Sequence, residues 1–405
     1  PACFATECPM PHRLLGPILL LALATLPLAA QAPPDAASLA RALPFRSIGP
    51  ALMGGRIADI EVHPHDTSTW YVAVGSGGVW KTTDAGTTFT PIFDGQPSYS
   101  IGEITIDPTR PEIVWVGTGE NVSGRHVAWG DGVYRSGDAG RTWQRKGLPR
   151  SEHIGRILVD PRDGNVVLAA AEGPLWSSGG ERGVFRTTDG GATWTPVLTI
   201  DDDTGVTDLE FDPSNPDVIY AAAYQRRRHV WGFLAGGPGS GIYKSADNGK
   251  TWRKITTGLP KGDIGKIGLA VTPADPSIVY ATIEAAGAER GFYQSTDRGE
   301  SWERRNPYIS GGTGPHYYQE IEASPVDAET VYQMDVFIQV TRDGGRTFSN
   351  LETAHDKHSD NHALWIDPAN RRHLIAGTDG GLYESFDGGT RWRHFPNLPI
   401  AQFYK

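Results

Sequence analysis

Three ionisable residues near the end of the chain have a spacing that could bind a metal ion. His358, Asp360 and His362 occupy positions i, i+2 and i+4. In an extended segment alternate side chains point the same way, so all three would share one face. Imidazole and carboxylate groups suit zinc or another divalent cation. No motif of established metal-site spacing surrounds them, so the other interpretation is a hydrogen-bonded polar plug and a protein without a cofactor.

Several long polar segments carry aromatic and charged residues that suit a bound sugar or peptide. These segments are 119–131, 171–182, 224–240, 304–317 and 350–361. The candidate ligand-binding residues are Glu120, Arg125, Trp129, Arg228, Trp231, His316 and Tyr317. The candidates for a general acid and base are Glu120, Asp131, Asp360 and Asp379. The other interpretation is that most of these are ordinary solvated loop residues.

A third set of charged residues comes from aligning the apolar runs on the proline that follows each of them. Equivalent positions are then held by Asp59, Glu103, Arg156, Asp208 and Glu320, and by Lys266 if its run carries one extra residue. This pattern predicts a ring of mixed charge. We favour an ion network that holds repeated units in register over a ligand site, because buried charges need partners and here they are supplied.

The elements that position these residues are set by seven copies of one octapeptide, Ser/Thr-x-Asp-x-Gly-x-Thr/Ser-Trp/Phe. The copies contain Asp84, Asp138, Asp189, Asp247, Asp297, Asp343 and Asp387. The last copy departs slightly, with Arg391 before its tryptophan. Each copy closes a unit of about fifty residues, a period that indicates a solenoid, a propeller or an array.

Each unit reads as four short strands. Runs of four to seven β-branched and aromatic residues, such as Ile101–Ile106, alternate with Gly, Pro and Asp. The sequence therefore predicts an all-β fold, a β-propeller of about seven four-stranded blades over residues 45–405. The octapeptide should be the turn between the third and fourth strands. First strands should line the channel, and the long polar segments should share one face around its mouth.

The repeated octapeptide is similar to the Asp-box, or BNR repeat, of sialidases, xyloglucanases and the sortilin luminal domain. Segments 54–57, 129–134 and 362–368 most resemble bacterial secreted proteins of the sortilin-like kind. The resemblance covers the chain from about Phe45 onward. It implies a propeller whose octapeptide aspartates are structural and lie on the outer rim, away from any active centre.

The resemblance also bears on hydrolysis. Xyloglucanases use two aspartates across a cleft, one of them in a Thr-Asp-x-Gly-Gly segment of the first blade. The matching segment here has Ser76 in place of that aspartate, and a similar form survives only around Asp379. Sialidases need an early Arg-Ile-Pro, which residues 45–48 do not provide.

The two ends of the chain predict export and a longer parent protein. Residues 1–9, which hold both cysteines, look like upstream translation; residues 10–32 like a signal peptide; and residues 33–44 like a linker. A mature chain without disulfides suits a bacterial secreted or periplasmic protein. Residues 399–405 look like the start of another unit, so the chain is expected to be part of a larger multi-blade or two-propeller protein. In such a fragment the first and last blades should gape, or be joined only by a strand at 45–50.

Charge narrows the range of partners. The net charge is −10 and the isoelectric point is about 5.6, which argues against nucleic acid or an anionic membrane surface. No transmembrane segment is expected in the mature chain. The leading hypothesis is an exported, non-catalytic propeller that binds a peptide, protein or glycan at its channel mouth. The alternative is a glycoside hydrolase of the xyloglucanase or sialidase type acting on extracellular polysaccharide.

Overall fold

The computed structural model describes residues 54–309, 314–318, 320–352 and 356–401. These residues form seven antiparallel sheets, each with four principal strands, arranged as the blades of a β-propeller. The all-β fold predicted from the octapeptide is therefore confirmed. Within the described ranges the helical content is one three-residue 3-10 turn, Gly287–Glu289. No helix of this part of the chain is long and apolar enough to cross a membrane.

Each blade is built from one continuous stretch of chain, and blades are numbered in chain order. Blades 1 and 2 comprise β1 (Ile57–Val62), β2 (Trp70–Val74), β3 (Gly78–Thr82), β4 (Thr90–Pro91), β5 (Ile101–Ile106), β6 (Val114–Thr118), β7 (Val133–Ser136) and β8 (Gln144–Gly147). Blades 3 and 4 comprise β9 (Ile154–Val159), β10 (Val167–Ala171), β11 (Gly183–Thr187), β12 (Thr195–Leu198), β13 (Thr204–Asp212), β14 (Asn215–His229), β15 (Gly232–Ala235), β16 (Gly241–Ser245) and β17 (Arg253–Lys254). Blades 5 to 7 comprise β18 (Ile264–Val271), β19 (Val279–Ala285), β20 (Gly291–Ser295), β21 (Glu303–Asn306), β22 (Ile321–Ala323), β23 (Val331–Gln333), β24 (Gln339–Thr341), β25 (Ser349–Asn350), β26 (Asn361–Ile366), β27 (Leu374–Thr378), β28 (Gly381–Ser385) and β29 (Arg393–His394).

This antiparallel order gives the ring two distinct faces. Connections between second and third strands lie on one face, together with the connections leading into each following blade; we call this the mouth face. The opposite face carries the first-to-second and third-to-fourth strand turns. First strands line the central channel, as predicted.

In each octapeptide the aspartate closes the turn between the third and fourth strands. At Asp189, Oδ1 accepts hydrogen bonds from the Thr187 hydroxyl (2.7 Å) and the Thr193 backbone N–H (2.9 Å), and Oδ2 accepts from the Thr193 hydroxyl (2.7 Å). The same three bonds recur at Asp84, Asp138, Asp247, Asp297 and Asp343. At Asp387 the backbone bond remains, but Arg391 stands where the other copies have a hydroxyl.

The glycine of the octapeptide is required for two reasons, its backbone conformation and the close approach of the neighbouring blade. Gly86 has φ 79°, a conformation that side chains resist. A Cβ atom there would also lie 2.3 Å from the Phe395 ring of the neighbouring blade. The turn is therefore shaped to let adjacent blades pack closely, and the aromatic residue that ends the octapeptide joins this packing, as the buried Trp302 and Trp392 show.

The ring closes where blade 7 meets blade 1, an interface we call the seam. Ile57 and Trp70 of blade 1 are buried in one cluster with Ile375 and Leu382 of blade 7. The Trp70 and Phe395 rings meet edge to face at 5.6 Å. The described blades each use strands of their own stretch, and side-chain packing between described residues joins blade 7 to blade 1 at the seam. Of the two outcomes expected for a fragment, gaping blades are not observed, and a joining strand at 45–50 lies outside the described residues.

One of the long segments predicted to be a loop contains a pair of strands. Segment 224–240 forms a β-hairpin in which β14 continues to His229 and turns back as β15. The expected strand at 45–50, the leader, the linker and the upstream residues all lie outside the described residues, as do residues 402–405.

Candidate functional site

The six charged residues aligned from the sequence all line the channel, a cavity of about 220 Å³. Arg156 lies 3.1 Å from Glu210, 3.9 Å from Glu103 and 4.0 Å from Asp208. Lys266 pairs with Glu320 at 2.8 Å. The predicted ion network is present, and the first-strand periodicity was enough to find it.

The channel carboxylates also tie each blade to the next one. Asp59 accepts a hydrogen bond from the Ile104 N–H of blade 2 (2.9 Å), and Asp208 accepts one from the Leu269 N–H of blade 5 (3.0 Å). Such bonds satisfy backbone donors at the interfaces between blades. The ring of carboxylates therefore has a structural role that requires no ligand.

Burial changes the protonation of this ring. Removal from water raises the pKa of Glu61 to about 8, with the neighbouring Asp59 adding to the effect. Burial likewise raises the pKa of Glu210 to about 8 and that of Glu322 to about 7, against the opposing charge of Arg156. Burial therefore biases these channel carboxyls toward the protonated form, which lowers the repulsion among them.

The connection between β6 and β7, residues 119–132, crosses the channel mouth, and we call it the mouth plug. The Ser123 N–H donates to the carbonyl of His316, in the segment leading into blade 6 (2.9 Å), and the Ser123 hydroxyl accepts from Arg226 of blade 4 (2.6 Å). The Gly130 N–H donates to the carbonyl of Glu152 in blade 3 (2.7 Å). One loop of blade 2 thus reaches across the channel mouth to segments of blades 3, 4 and 6.

The mouth plug has a small apolar core. Val122 and Val127 are buried with Leu175 of blade 3, and Phe233 and Tyr317 pack against them. Apolar burial of this kind stabilises the crossing loop. Tyr317, a predicted ligand residue, is therefore half-buried in plug contacts.

Arg56 joins the mouth plug to the seam. Its Nη1 lies 2.6 Å from Glu120 Oε1 and its Nε lies 2.7 Å from Asp379 Oδ1, with the guanidinium itself almost fully buried. The His362 ring contacts the same Asp379 oxygen at 3.0 Å. Burial alone would lower the pKa of Arg56, but the two carboxylates outweigh it and raise that pKa.

The same contacts fix the state of Asp379. Burial alone would raise its pKa, yet His362 and Arg56 outweigh burial and hold the pKa well below its ordinary value. An aspartate held ionised in this way cannot serve as a general acid. Glu120 is completely buried beneath the plug and does not face an open cleft, whereas the Asp379 side chain is 29% exposed.

The three residues proposed to bind metal have different partners. Asp360, with φ 65°, accepts from the Tyr318 hydroxyl, and the His358 Nδ1 meets the Ser359 carbonyl at 2.6 Å. The positive φ and a β-bulge around His362 interrupt the alternation on which the prediction depended. Across the described residues, no three His, Cys, Asp or Glu side chains are arranged to hold a metal ion. The metal site stays a prediction without geometric support.

The hairpin of blade 4 divides its residues between the interior and the solvent. Arg228 is buried, donates to the Ser123 carbonyl (2.6 Å) and lies 4.3 Å from the centre of the Phe233 ring. At the tip, Trp231 is 85% exposed and stacks on His229. Arg228 therefore anchors the hairpin to the mouth plug, whereas Trp231 is available to a ligand.

An open cleft lies on the mouth face between blades 2 and 3, and we call it the rim cleft. Its volume is about 560 Å³. It is lined by Pro97, Ser98, Trp129, Gly130, Asp131, Pro149, Arg150, Glu152, Pro174, Ser177, Ser178 and Gly180. Trp129 is 69% exposed above it. Two predicted site residues, Trp129 and Asp131, thus meet in one concave surface.

The carboxylates of the rim cleft differ in environment. Asp131 Oδ2 accepts from the Tyr134 hydroxyl (2.7 Å) and pairs with Arg145 (3.1 Å), while Asp131 Oδ1 is buried without a hydrogen-bond partner. Burial raises the pKa of Glu152, although Arg182 opposes the shift. Such a pair has one carboxylate anchored by a cation and one biased toward the protonated form.

Sequence reasoning missed several of the residues that build the mouth face. Arg56 was noticed only as part of a family-like segment, and neither Glu152 nor the buried Arg226–Glu172 pair (3.1 Å) was singled out. Arg125 is exposed on the plug and His316 is half-buried beside Phe233. No local spacing marks these residues, because their partners come from other blades.

Comparison with known proteins finds similarity to xyloglucanases. No family model matches the chain. The chain is 24% identical over 278 residues to a xyloglucanase of Paenibacillus sp, covering 61% of this chain and 26% of that protein. It is 27% identical over 241 residues to a xyloglucanase of Hypocrea jecorina, covering 53% and 27%. The chain thus spans about a quarter of the length of these curated relatives.

Two solved structures have the same fold. The GH74 xyloglucanase of Xanthomonas campestris superimposes with a TM-score of 0.64 at 19% identity, covering 86% of this chain and 55% of that one. YCF48 bound to the D1 peptide superimposes with a TM-score of 0.54 at 14% identity, covering 82% of this chain and 94% of that one. At these identities the likeness establishes a propeller fold and nothing finer.

Proposed function

We propose that this propeller is an exported protein that binds a polysaccharide on its mouth face, at the rim cleft. The observation that carries the proposal is the rim cleft itself, in which Trp129 stands 69% exposed over a concave, polar surface. Indole rings stack on the apolar C–H faces of sugar rings, and nearby carboxylate, guanidinium and hydroxyl groups bond the sugar hydroxyls. The xyloglucanase relatives support the same ligand class.

A peptide is a poorer fit to this face. Peptides commonly bind by pairing with free backbone groups of a strand edge. Here backbone donors of the mouth face are already used between blades, as in Gly130 to Glu152 (2.7 Å) and Arg228 to Leu175 (2.7 Å). The ligand must therefore be recognised by side chains, which favours a glycan.

Hydrolysis is a second candidate function, favoured by Asp131 and Glu152 in the same cleft. A retaining or inverting glycosidase needs one protonated and one ionised carboxyl flanking the bond that breaks. Glu152, whose pKa is raised by burial, is the candidate acid. Asp131, paired with Arg145, is the candidate base or nucleophile.

Affinity electrophoresis against xyloglucan, cellulose derivatives, xylan and galactomannan tests binding, and release of reducing ends tests hydrolysis. We expect at least one β-linked polysaccharide to retard the protein and Trp129→Ala to weaken that binding about tenfold or more. Asp131→Asn and Glu152→Gln should each lower any hydrolysis about 10²- to 10⁴-fold while binding persists. Binding to none of these polymers, together with capture of peptides from an array, would overturn the proposal.

A further inference from the structure

Large exposed hydrophobic side chains are unevenly distributed over the ring. Within the described residues, those on the mouth face are Tyr99, Trp129, Trp176, Val230 and Trp231, with exposures of 44% to 92%. All of them lie in the connection leading into blade 2 or in the second-to-third strand connections of blades 2, 3 and 4. The two others, Val326 and Phe386, belong to turns of the opposite face.

The four aromatic residues of this set lie on neighbouring segments, and we call them the aromatic arc: Tyr99, Trp129, Trp176 and Trp231. Ser98, next to Tyr99, and Ser177, next to Trp176, line the rim cleft together with Trp129. The loop of Trp176 is joined to the hairpin of Trp231 by the bond from the Arg228 N–H to the Leu175 carbonyl (2.7 Å). The arc is therefore continuous from the start of blade 2 to the hairpin of blade 4.

The supports under the arc are rigid. Arg228 is buried below the hairpin, and Arg182 of blade 3 donates to the carbonyls of Glu172 (2.7 Å) and Ser177 (2.8 Å). Rings held on fixed supports lose little conformational freedom when a ligand arrives. Exposed aromatic side chains grouped on segments held in this manner are typical of a binding surface.

Two ion pairs lie along the arc. Arg145 pairs with Asp131 at 3.1 Å, and Arg227 pairs with Asp203 at 3.3 Å. A surface that combines separate aromatic rings with ion pairs offers a ligand stacking and hydrogen bonds. It exerts little net electrostatic attraction on a charged ligand. Its chemistry matches a neutral chain that presents an apolar face and hydroxyl groups at each repeat.

We infer that the aromatic arc binds the interior of an uncharged polysaccharide chain, laid across blades 2, 3 and 4, with the rim cleft as one of several subsites. This inference rests on the proposed function and adds the form of its ligand, an extended chain several sugars long rather than a chain end or a free sugar. Trp231, at the far end of the arc from Tyr99, contacts only ligands long enough to reach the hairpin.

The test compares short and long ligands on matched variants. Affinities for xyloglucan and for β-1,4-gluco-oligosaccharides of three and eight units are measured with wild type, Trp129→Ala, Trp231→Ala and the opposite-face control Phe386→Ala. We expect eight units to bind at least about tenfold more tightly than three. Trp231→Ala should remove most of that gain without affecting three units, whereas Trp129→Ala weakens both lengths and Phe386→Ala weakens neither.

The outcomes separate this inference from the proposed function. If xyloglucan binds and Trp129→Ala weakens it, but length and Trp231→Ala make no difference, the arc is not a subsite series and the inference fails alone. If no ligand binds the wild type, the proposed function fails for this glycan class, and the inference fails with it. Circular dichroism of each variant, unchanged because the substituted rings are exposed, shows that loss of binding is not loss of fold.

Discussion

The octapeptide turns and the mouth face stabilise one ring by different means. In each turn an aspartate bonds to groups no more than four residues away, and the same arrangement recurs around the ring. On the mouth face Arg56 bonds to Glu120, 64 positions along the chain, and to Asp379, 323 positions along. Local bonds form within any one unit, whereas the mouth contacts exist only once several blades are in place. The turns therefore define blades, and the mouth plug and its partners define the assembled ring.

The largest expected effect belongs to the mouth face. Arg56→Ala leaves the fully buried Glu120 and the partly buried Asp379 without their shared cation, which should lower the free energy of unfolding by about 3–5 kcal/mol. Urea denaturation followed by tryptophan fluorescence measures the change. Arg253, exposed and paired with the exposed Glu300, is the control, and Arg253→Ala should cost at most about 1 kcal/mol.

A companion variant sharpens this first prediction. Arg56→Met combined with Glu120→Gln and Asp379→Asn removes all the charges together, so it should be more stable than Arg56→Ala alone. Equal stability of Arg56→Ala and wild type would show that the cluster contributes nothing to the ring.

A single octapeptide turn should matter less than the Arg56 cluster. Asp297→Ala removes the acceptor of the Ser295 and Ser301 bonds, and we expect a loss of about 1–2 kcal/mol, kept small because solvent reaches this carboxylate. Thermal unfolding measures it, and a cycle with Ser301→Ala should show non-additivity because the two residues share a bond. A loss greater than that of Arg56→Ala would reverse the comparison.

The octapeptide turns and the channel carboxylates should respond to pH in opposite directions. Hydrogen bonds from Thr142, led by its backbone N–H, lower the pKa of Asp138 to about 2, so this contribution to stability is present above pH 3.8 and is lost as the pH falls toward 2. Burial raises the pKa of Glu61 and Glu322 to about 8 and about 7, so their contribution is complete below pH 4.5 and is lost as the pH rises through 7 to 8.

Melting temperatures from pH 2 to pH 9 test both limbs. Glu322→Gln, which cannot ionise, should flatten the alkaline limb, and Asp138→Asn should flatten the acid limb. Each substitution changes one group among several, so the effect of each is smaller than that of the preceding variants. An alkaline limb unchanged by Glu322→Gln would remove the channel carboxylates as its cause.

The smallest expected effect concerns metal. Because His358, Asp360 and His362 are engaged with separate partners, we expect a chelator to leave the melting temperature unchanged. Elemental analysis of protein purified without chelator provides the second measurement. One equivalent of a divalent metal, lost in a variant carrying both His358→Ala and His362→Ala, would restore the metal site predicted from their spacing.

The fold could be predicted because its signals are local. The octapeptide repeats Asp, Gly and an aromatic residue at fixed positions; the Asp is required by bonds close in sequence, as at Asp189, and the Gly by the positive φ of its own turn, as at Gly86. The channel ring could be predicted for the same reason, since Asp59 and Glu103 hold equivalent places in equivalent strands.

The mouth face could be predicted only in part. Trp129 and Trp231 were found as exposed aromatic residues of long segments, but Glu120 and Arg228 turned out to be buried under the plug. Their burial depends on one loop of blade 2 reaching blades 4 and 6, and no period in the sequence encodes that crossing. Resemblance to a family transfers the repeated part of the fold and leaves the unrepeated part undetermined.

The seam also determines how the chain can be circularly permuted. Each described blade is a self-contained stretch, and side-chain packing between described residues joins blade 7 to blade 1, so the order of these blades does not depend on where the covalent chain is cut. Circular permutants opened at exposed turns of the opposite face, such as the one around Asp163, would keep every interface between blades. They would change only which interface lacks a covalent backbone connection. Differences in unfolding rate among such permutants would then measure how much each interface gains from having the backbone pass through it.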